Sequence, residues 1–313
     1  MLSWGRDGAA KDRSARLDRI SLTLPIELRT FMPPQTREWI TSTTHNRSLI
    51  ADRGVVIANH PLASAAGAEM FAAGGNAIDA ALAAAIALTV VEPTSNGIGS
   101  DAFCILWDGQ QLHGLNASGR SPEAWTPKYF SGRERMPERG WDTVTVPGCV
   151  SAWVELSERF GKLAFAELFE PGIRYARDGY LVGPVTANSW ASQAQVLGEY
   201  AGFAETFMPG GQTPQTGEKF ACPPQAQTLQ QIAETAGAAF YWGDLAERMA
   251  ADAVAHGGQL RVEDLAAHQC DWVGTASQDY GEYTLHEIPP NGQGLAALIA
   301  LRILRNKGLS SYP

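Results

Sequence analysis

The run from Ala80 to Val91 is the longest apolar stretch in the sequence, and it limits what the chain can become. A bilayer span takes about 20 helical residues, so a run this short has to be a helix buried in a protein core. Ile78, Leu82, Ile86 and Val90 recur at i, i+4 spacing on one face. Asn76 offers a side-chain oxygen to the first turn, Asp79 suits the positive end of the helix dipole, and Pro93 stops the helix. Upstream, Gly54-Val-Val-Ile-Ala58 reads as a short strand. Asn59 or His60 then caps a second helix with Pro61 in its first turn and Gly74-Gly75 at its end.

Beyond Pro93, Thr94 to Asp101 is a glycine-bearing loop. A hairpin is expected next, from Ala102–Trp107 through an Asp108-Gly109 turn to Gln111–Leu115. Pro147-Gly148 precedes a helix ending at Gly161, and another starts near Phe165, breaks near Pro171 and stops at Gly179. Gln225–Gly237, Asp244–Gly257, Val262–Gln269 and Gln293–Asn306 read as helices, and Trp272–Ile288 as paired strands. Helices mixed with paired strands indicate an α+β or layered α/β fold. Residues 1–50 have weak periodicity and read as an N-terminal arm, leaving 51–313 as the folded region.

Several functional classes drop out on composition. With 24 Lys plus Arg against 33 Asp plus Glu, the 313 residues carry a formal charge of −9, and no long basic run offers a nucleic-acid surface. At 45% hydrophobic and 18% charged residues the chain can bury a core and is not a disordered tail. No membrane partner is expected, and the charged N-terminus lacks a signal-peptide core, which reads as a cytoplasmic protein. Cys104, Cys149, Cys222 and Cys270 are widely spaced, as buried hydrophobes would be, and no metal or cofactor is expected.

Gly97-Ile98-Gly99-Ser100-Asp101-Ala102 matches the letters of a dinucleotide fingerprint. That fingerprint needs a strand before the glycines and a helix after. Here the order is reversed, so the glycines read as a tight loop. The six histidines are scattered and no G-x-S-x-G elbow supplies a serine. Arg120, in Asn116-Ala-Ser-Gly-Arg120-Ser-Pro, follows the hairpin on a turn and could clamp a carboxylate or form a surface ion pair. Asp79, Glu92 and Asp101 are explained by capping or solvent exposure. No catalytic residue emerges from spacing.

The blocks Gly54-Val-Val-Ile-Ala-Asn-His60-Pro-Leu-Ala-Ser64, Ala73-Gly-Gly-Asn-Ala-Ile-Asp-Ala-Ala81 and Val91-Glu-Pro-Thr-Ser-Asn-Gly-Ile-Gly-Ser-Asp-Ala-Phe103 resemble the γ-glutamyltransferase family. Thr145-Val-Pro-Gly148, Arg159-Phe-Gly-Lys-Leu163, Leu168-Phe-Glu-Pro171 with Ala176-Arg-Asp-Gly179, and Glu287-Ile-Pro-Pro-Asn-Gly-Gln-Gly-Leu295 continue the series in order. The resemblance covers about residue 50 to the end. It implies an N-terminal-nucleophile hydrolase with a four-layer αββα sandwich, of which this chain is the large-subunit portion. It also implies a partner: a small-subunit polypeptide whose N-terminal threonine attacks γ-glutamyl or other acyl amides, its own α-amine serving as base.

Thr43-Thr44-His45 resembles the Thr-Thr-His that opens the small subunit in many members, but it precedes every large-subunit block and is taken as chance. Typical transferases carry an arginine after a Leu-Asp-Phe run, and aligned on the terminal proline that place is Ser118, with Arg120 two residues on. The Gly-Arg-Ser-Pro form resembles the transferase-like or acylase-like branch. The expected function is γ-glutamyl hydrolysis or transfer with Arg120 at the substrate. The alternatives are a cephalosporin/glutaryl-type acylase of the same fold and a non-catalytic scaffold.

Overall fold

The computed structural model describes residues 51, 52 and 54–307, so Thr43-Thr44-His45 and the N-terminal arm lie outside the described residues. Helix α1 (Pro61–Ala72) begins as the sequence indicates, with His60 Nδ1 accepting from the Leu62 amide at 3.2 Å. Helix α2 (Ala77–Val91) opens on a capping box: Asn76 Oδ1 accepts from the amides of Ile78 and Asp79, and Asp79 Oδ2 accepts from the Asn76 amide. Ile78, Leu82, Ile86 and Val90 are all buried. The two helices approach closely at Gly67, where a Cβ would lie 2.6 Å from the Ala80 carbonyl oxygen.

Asp79 does more than cap. Its carboxylate is 0% exposed and accepts the backbone N–H of Lys162 at 3.0 Å and of Leu163 at 3.4 Å. Asn76 Nδ2 donates to the Phe160 carbonyl at 2.6 Å. The corner before α2 is thereby tied to a turn more than eighty residues later in the chain.

Strand β1 (Ala102–Trp107) pairs antiparallel with β2 (Leu112–Ala117), Trp107 lying opposite Leu112. The connection is thus the four residues 108–111, not a two-residue turn. Asp108 explains the longer form, since its Oδ1 accepts from the amides of Gln110 at 2.7 Å and Gln111 at 2.8 Å. The hydrogen bond from His113, with those two amides, pulls the Asp108 carboxyl down to about 2. β5 (Asp271–Trp272) adds to β2, giving the sheet order β1-β2-β5.

Helices α3 (Cys149–Phe160), α4 (Glu170–Asp178) and α7 (Pro223–Glu234) join α1 and α2 in one core through Val150, Ile173, Leu229 and Ile232. Pro171 does not break a helix, because it occupies the first turn of α4, where no amide is needed. A short 3-10 helix, Phe165–Phe169, precedes it. The chain continues through β3 (Tyr180–Leu181), α5 (Pro184–Leu197), α6 (Ala201–Phe207) and β4 (Lys219–Phe220), which pairs with β3. After α7 come α8 (Ala238–Tyr241), α9 (Asp244–Ala255) and α10 (Val262–Ala266), then the hairpin of β6 (Ala276–Tyr280) and β7 (Tyr283–Glu287), and α11 (Gly294–Asn306).

One expected element is missing. Residues 54–58 form no strand, although Val56 and Ala58 face the core while Val55 and Ile57 face outward. That is strand alternation without a paired neighbour among the described residues. β1 is likewise half covered: Ala102, Cys104 and Leu106 pack on the core, whereas Phe103, Ile105 and Trp107 remain exposed.

Candidate functional site

Three segments meet where β2 ends. The first is the glycine loop after α2, which is closed on itself: Ser100 Oγ accepts from the Gly97 amide at 3.0 Å, and the Ser100 amide donates to Gly97 O at 3.1 Å. Ser100 O then accepts from the amides of Gly148 at 3.2 Å and Cys149 at 2.9 Å, fixing the loop to the start of α3. A helix precedes these glycines and a strand follows, the reverse of the strand–loop–helix order of a dinucleotide fingerprint, and the start of α3 that meets the loop spends its first amides on Ser100 O. Burial pushes the Cys149 thiol up to about 12, and its Sγ lies 3.0 Å from Ile98 O. It is a neutral packing group, not a nucleophile.

The second segment, 116–120, is held by its backbone. The Ser118 amide donates to Asn116 Oδ1 at 2.9 Å, the Gly119 amide to Asp101 Oδ1 at 3.2 Å, and the Val146 amide to Arg120 O at 3.0 Å. Close approach dictates the residue types: a Cβ on Gly119 would run into the Val146 carbonyl, and one on Gly148 into that of Ala117. The third segment is the turn carrying Asn291. Asn116 Nδ2 donates to Asn291 Oδ1 at 2.8 Å, and Asn291 Nδ2 donates to the Ser118 hydroxyl.

The Arg120 guanidinium stands on this frame 68% exposed, with Nη2 3.9 Å from Asp271 Oδ2. Among the described residues nothing holds it tightly, which leaves its forks open to an incoming carboxylate. Asp101 adds a second acid beside the same turn. Of the other acids weighed from the sequence, Glu92 accepts from Asn96 Nδ2 at 3.0 Å inside the loop, whereas Asp79 belongs to the knot at 160–163 and takes no part.

Behind this rim, Ser151 Oγ lies 3.0 Å from His268 Nε2. The spacing suits a nucleophile and its base, but the wiring does not. Ser151 Oγ also lies 2.7 Å from Gly148 O, an acceptor only, so the single hydroxyl proton goes there and His268 Nε2–H donates to the serine. Among the described residues His268 Nδ1 has no partner to orient the ring. Burial first, and the Arg120 charge second, push the imidazole below its ordinary value and keep it neutral. Ser151 and His268 brace α3, and Tyr241 joins them by donating to Pro147 O at 2.8 Å and accepting the Ser151 amide at 3.0 Å. Among the described residues no acidic, His and Cys group could hold a metal.

Sequence reasoning pointed to the glycine loop and to Arg120, which the structure brings to one corner, but gave no notice of Asp271, Asn291 and the Ser151–His268 brace. The Pro289-Pro290-Asn291-Gly292 turn was the available signal for Asn291. Nothing local signals a pair 117 residues apart.

The family model for gamma-glutamyltranspeptidase matches residues 63–313. A glutathione hydrolase-like proenzyme of Bacillus subtilis is 35% identical over 264 residues, which is 83% of this chain and 50% of the relative. The oxamate amidohydrolase proenzyme of Klebsiella pneumoniae is also 35% identical over 264 residues, 82% of this chain and 50% of the relative. The cephalosporin acylase of Bacillus halodurans superposes with a TM-score of 0.77 at 44% identity, covering 84% of this chain and 52% of that one. For the gamma-glutamyltranspeptidase of Helicobacter pylori the TM-score is 0.79 at 28% identity, with coverage of 83% and 77%. The chain spans about half the length of the curated relatives it matches.

Proposed function

This chain belongs to the gamma-glutamyltranspeptidase family, and we propose that it is the large-subunit part of an acyl-amide hydrolase or transferase whose nucleophile lies on a segment that follows it. Its fold is that of the N-terminal-nucleophile hydrolases. On this reading a γ-glutamyl amide docks with its carboxylate on Arg120. An N-terminal threonine of the small-subunit polypeptide attacks the amide carbonyl while its α-amine takes the proton, and the acyl group then passes to water or to an amine. This chain binds and orients the donor.

The observation that carries the proposal is Arg120, whose backbone is fixed by Val146 while its guanidinium meets, among the described residues, a single acid at 3.9 Å. A structural arginine would be expected to sit closer to its acid. The open sheet face agrees with a missing partner: a strand apolar on both faces suits burial between two layers, and Phe103, Ile105 and Trp107 offer one of those faces to a second sheet.

Ser118 favours a second reading within the same chemistry. It stands where the resemblance expects a transferase arginine, and its hydroxyl is occupied by Asn291. A carboxylate anchor displaced to Arg120 suits a glutaryl-type acyl group, in keeping with the acylase likeness. Kinetics of the processed two-chain protein on γ-glutamyl and glutaryl anilides decide between the donors. Arg120→Ala is expected to raise KM about tenfold or more for the donor used, with the Tm nearly unchanged. Unchanged KM for both donors would remove Arg120 from the site.

A further inference from the structure

Asparagine followed directly by glycine occurs twice in this chain, at Asn96-Gly97 and Asn291-Gly292. In that pair the glycine nitrogen has no side chain beside it, so it can approach the asparagine's Cγ and close a five-membered imide. The fold treats the two copies in opposite ways. Gly97 spends its N–H on Ser100 Oγ at 3.0 Å, Asn96 spends Nδ2 on Glu92 Oε2 at 3.0 Å, and both residues are half-buried. Gly292 is exposed, its N–H has no acceptor among the described residues, and a Cβ built on it would meet nothing within 4 Å.

The contacts of Asn291 favour the same chemistry. Asn116 Nδ2 donates at 2.8 Å to Asn291 Oδ1, the oxygen that gains negative charge when Cγ is attacked. Asn116 is itself held for this, because its Oδ1 accepts the Ser118 amide at 2.9 Å. The Ser118 hydroxyl accepts from Asn291 Nδ2, the nitrogen that must leave, and its own proton has no acceptor among the described residues. A donor thus stands on the developing oxyanion and a hydroxyl on the leaving group.

We propose that Asn291 is a site of spontaneous modification to aspartate and isoaspartate, assisted by Asn116. The Gly292 nitrogen gives its proton to solvent and bonds to Asn291 Cγ. The Cγ–Nδ2 bond breaks, and the departing nitrogen takes a proton and leaves as ammonia. Water then opens the imide at either carbonyl, to aspartate or isoaspartate. Either product replaces a neutral amide with a carboxylate at the clasp, two residues along from which stands Arg120. On the reading of Arg120 as the donor anchor, that charge competes with the donor carboxylate; the modification itself does not depend on that reading.

Peptide mapping of the intact processed protein, aged in mildly alkaline buffer, tests this. A gain of about one mass unit with isoaspartate at position 291, and none at Asn96 in the same sample, is the expected result. Gly292→Ala, at an exposed position with open space for the methyl, should slow the gain about tenfold, and Asn116→Ala about fivefold through the lost oxyanion donor. An intact Asn291, an Asn96 that changes as fast, or a faster reaction in Asn116→Ala would each overturn the assignment. Aged protein and Asn291→Asp should both show KM raised about threefold for a carboxylate-bearing donor. Unchanged KM in both, where Arg120→Ala raises it, would refute the effect on the donor, whereas no response to Arg120→Ala would refute the anchor and leave the modification standing.

Discussion

Helix α2 and strand β1 are both apolar, yet α2 is finished within the described residues and β1 is not. Around α2 all but one narrow edge at Ala77 and Ala81 is covered: α1 approaches at Gly67, helices after β2 pack on the core face, and Asp79 locks the corner to 160–163. β1 buries alternate residues and presents Phe103, Ile105 and Trp107 to solvent. The unpaired run 54–58, with Ile57 89% exposed, and the outward Leu295, Ile299 and Ile303 of α11 share that unfinished character. One apolar pattern therefore has two meanings. Where it is capped and tied it is a core, and where it alternates with nothing opposite it is a seam.

The largest effect should follow from breaking the finished side. Asp79→Ala removes the buried carboxylate that accepts from the part-buried amides of Asn76 and Lys162, at about 1–3 kcal/mol for each lost hydrogen bond. Urea unfolding should register a loss of about 3 kcal/mol or more, and a loss below about 1 would reduce Asp79 to an ordinary cap. Ile86→Ala should cost about 2–5 kcal/mol, since the residue is 0% exposed.

The open side should behave differently. Ile105→Ser is expected to leave the separated chain within about 0.5 kcal/mol of its parent, as surface changes do. In the two-chain protein the same change should cost about 1.5–3 kcal/mol through lost burial. Equal effects in both forms would show that the face stays open. Smaller still, Arg120→Ala should alter stability by about 1 kcal/mol or less, because both it and Asp271 are more than half exposed.

The mildest expectation concerns acid. Asp108 is held at about 2 in the fold against an ordinary 3.8, so its contribution is full above about pH 4 and fades as pH falls toward 2. Asp108→Asn should flatten that part of the stability curve. An unchanged acid limb would mean that the His113 contact contributes nothing.

The finished half was readable because its signals are local: a cap residue, an i, i+4 apolar face and a stopping proline delimit α2 without reference to the rest of the chain. The hairpin on the other side was readable from its turn as well, but that this side awaits a partner was readable only by resemblance. Residues 54–58 carry a strand's composition, but a strand exists only through its partner, and sequence cannot say whether one is present. Helix α5 was missed for another reason. It buries only Thr186, Ala187 and Trp190, too few apolar positions to set a period. At the site, Arg120 was visible from its turn and its likeness to the family, whereas the clasp of Asn116, Ser118 and Asn291 joins residues some 173 positions apart and has no local trace.

The claim that the outer face of β1 is a seam rests most directly on one side chain, Trp107, which is 59% exposed in this chain. Hydroxyl-radical footprinting of the intact processed protein, set against the separated chain, measures its cover. Strong protection of Trp107 in the intact protein, with unchanged labelling of the outward Trp242, is the predicted result. Equal labelling of Trp107 in the two forms would contradict the account.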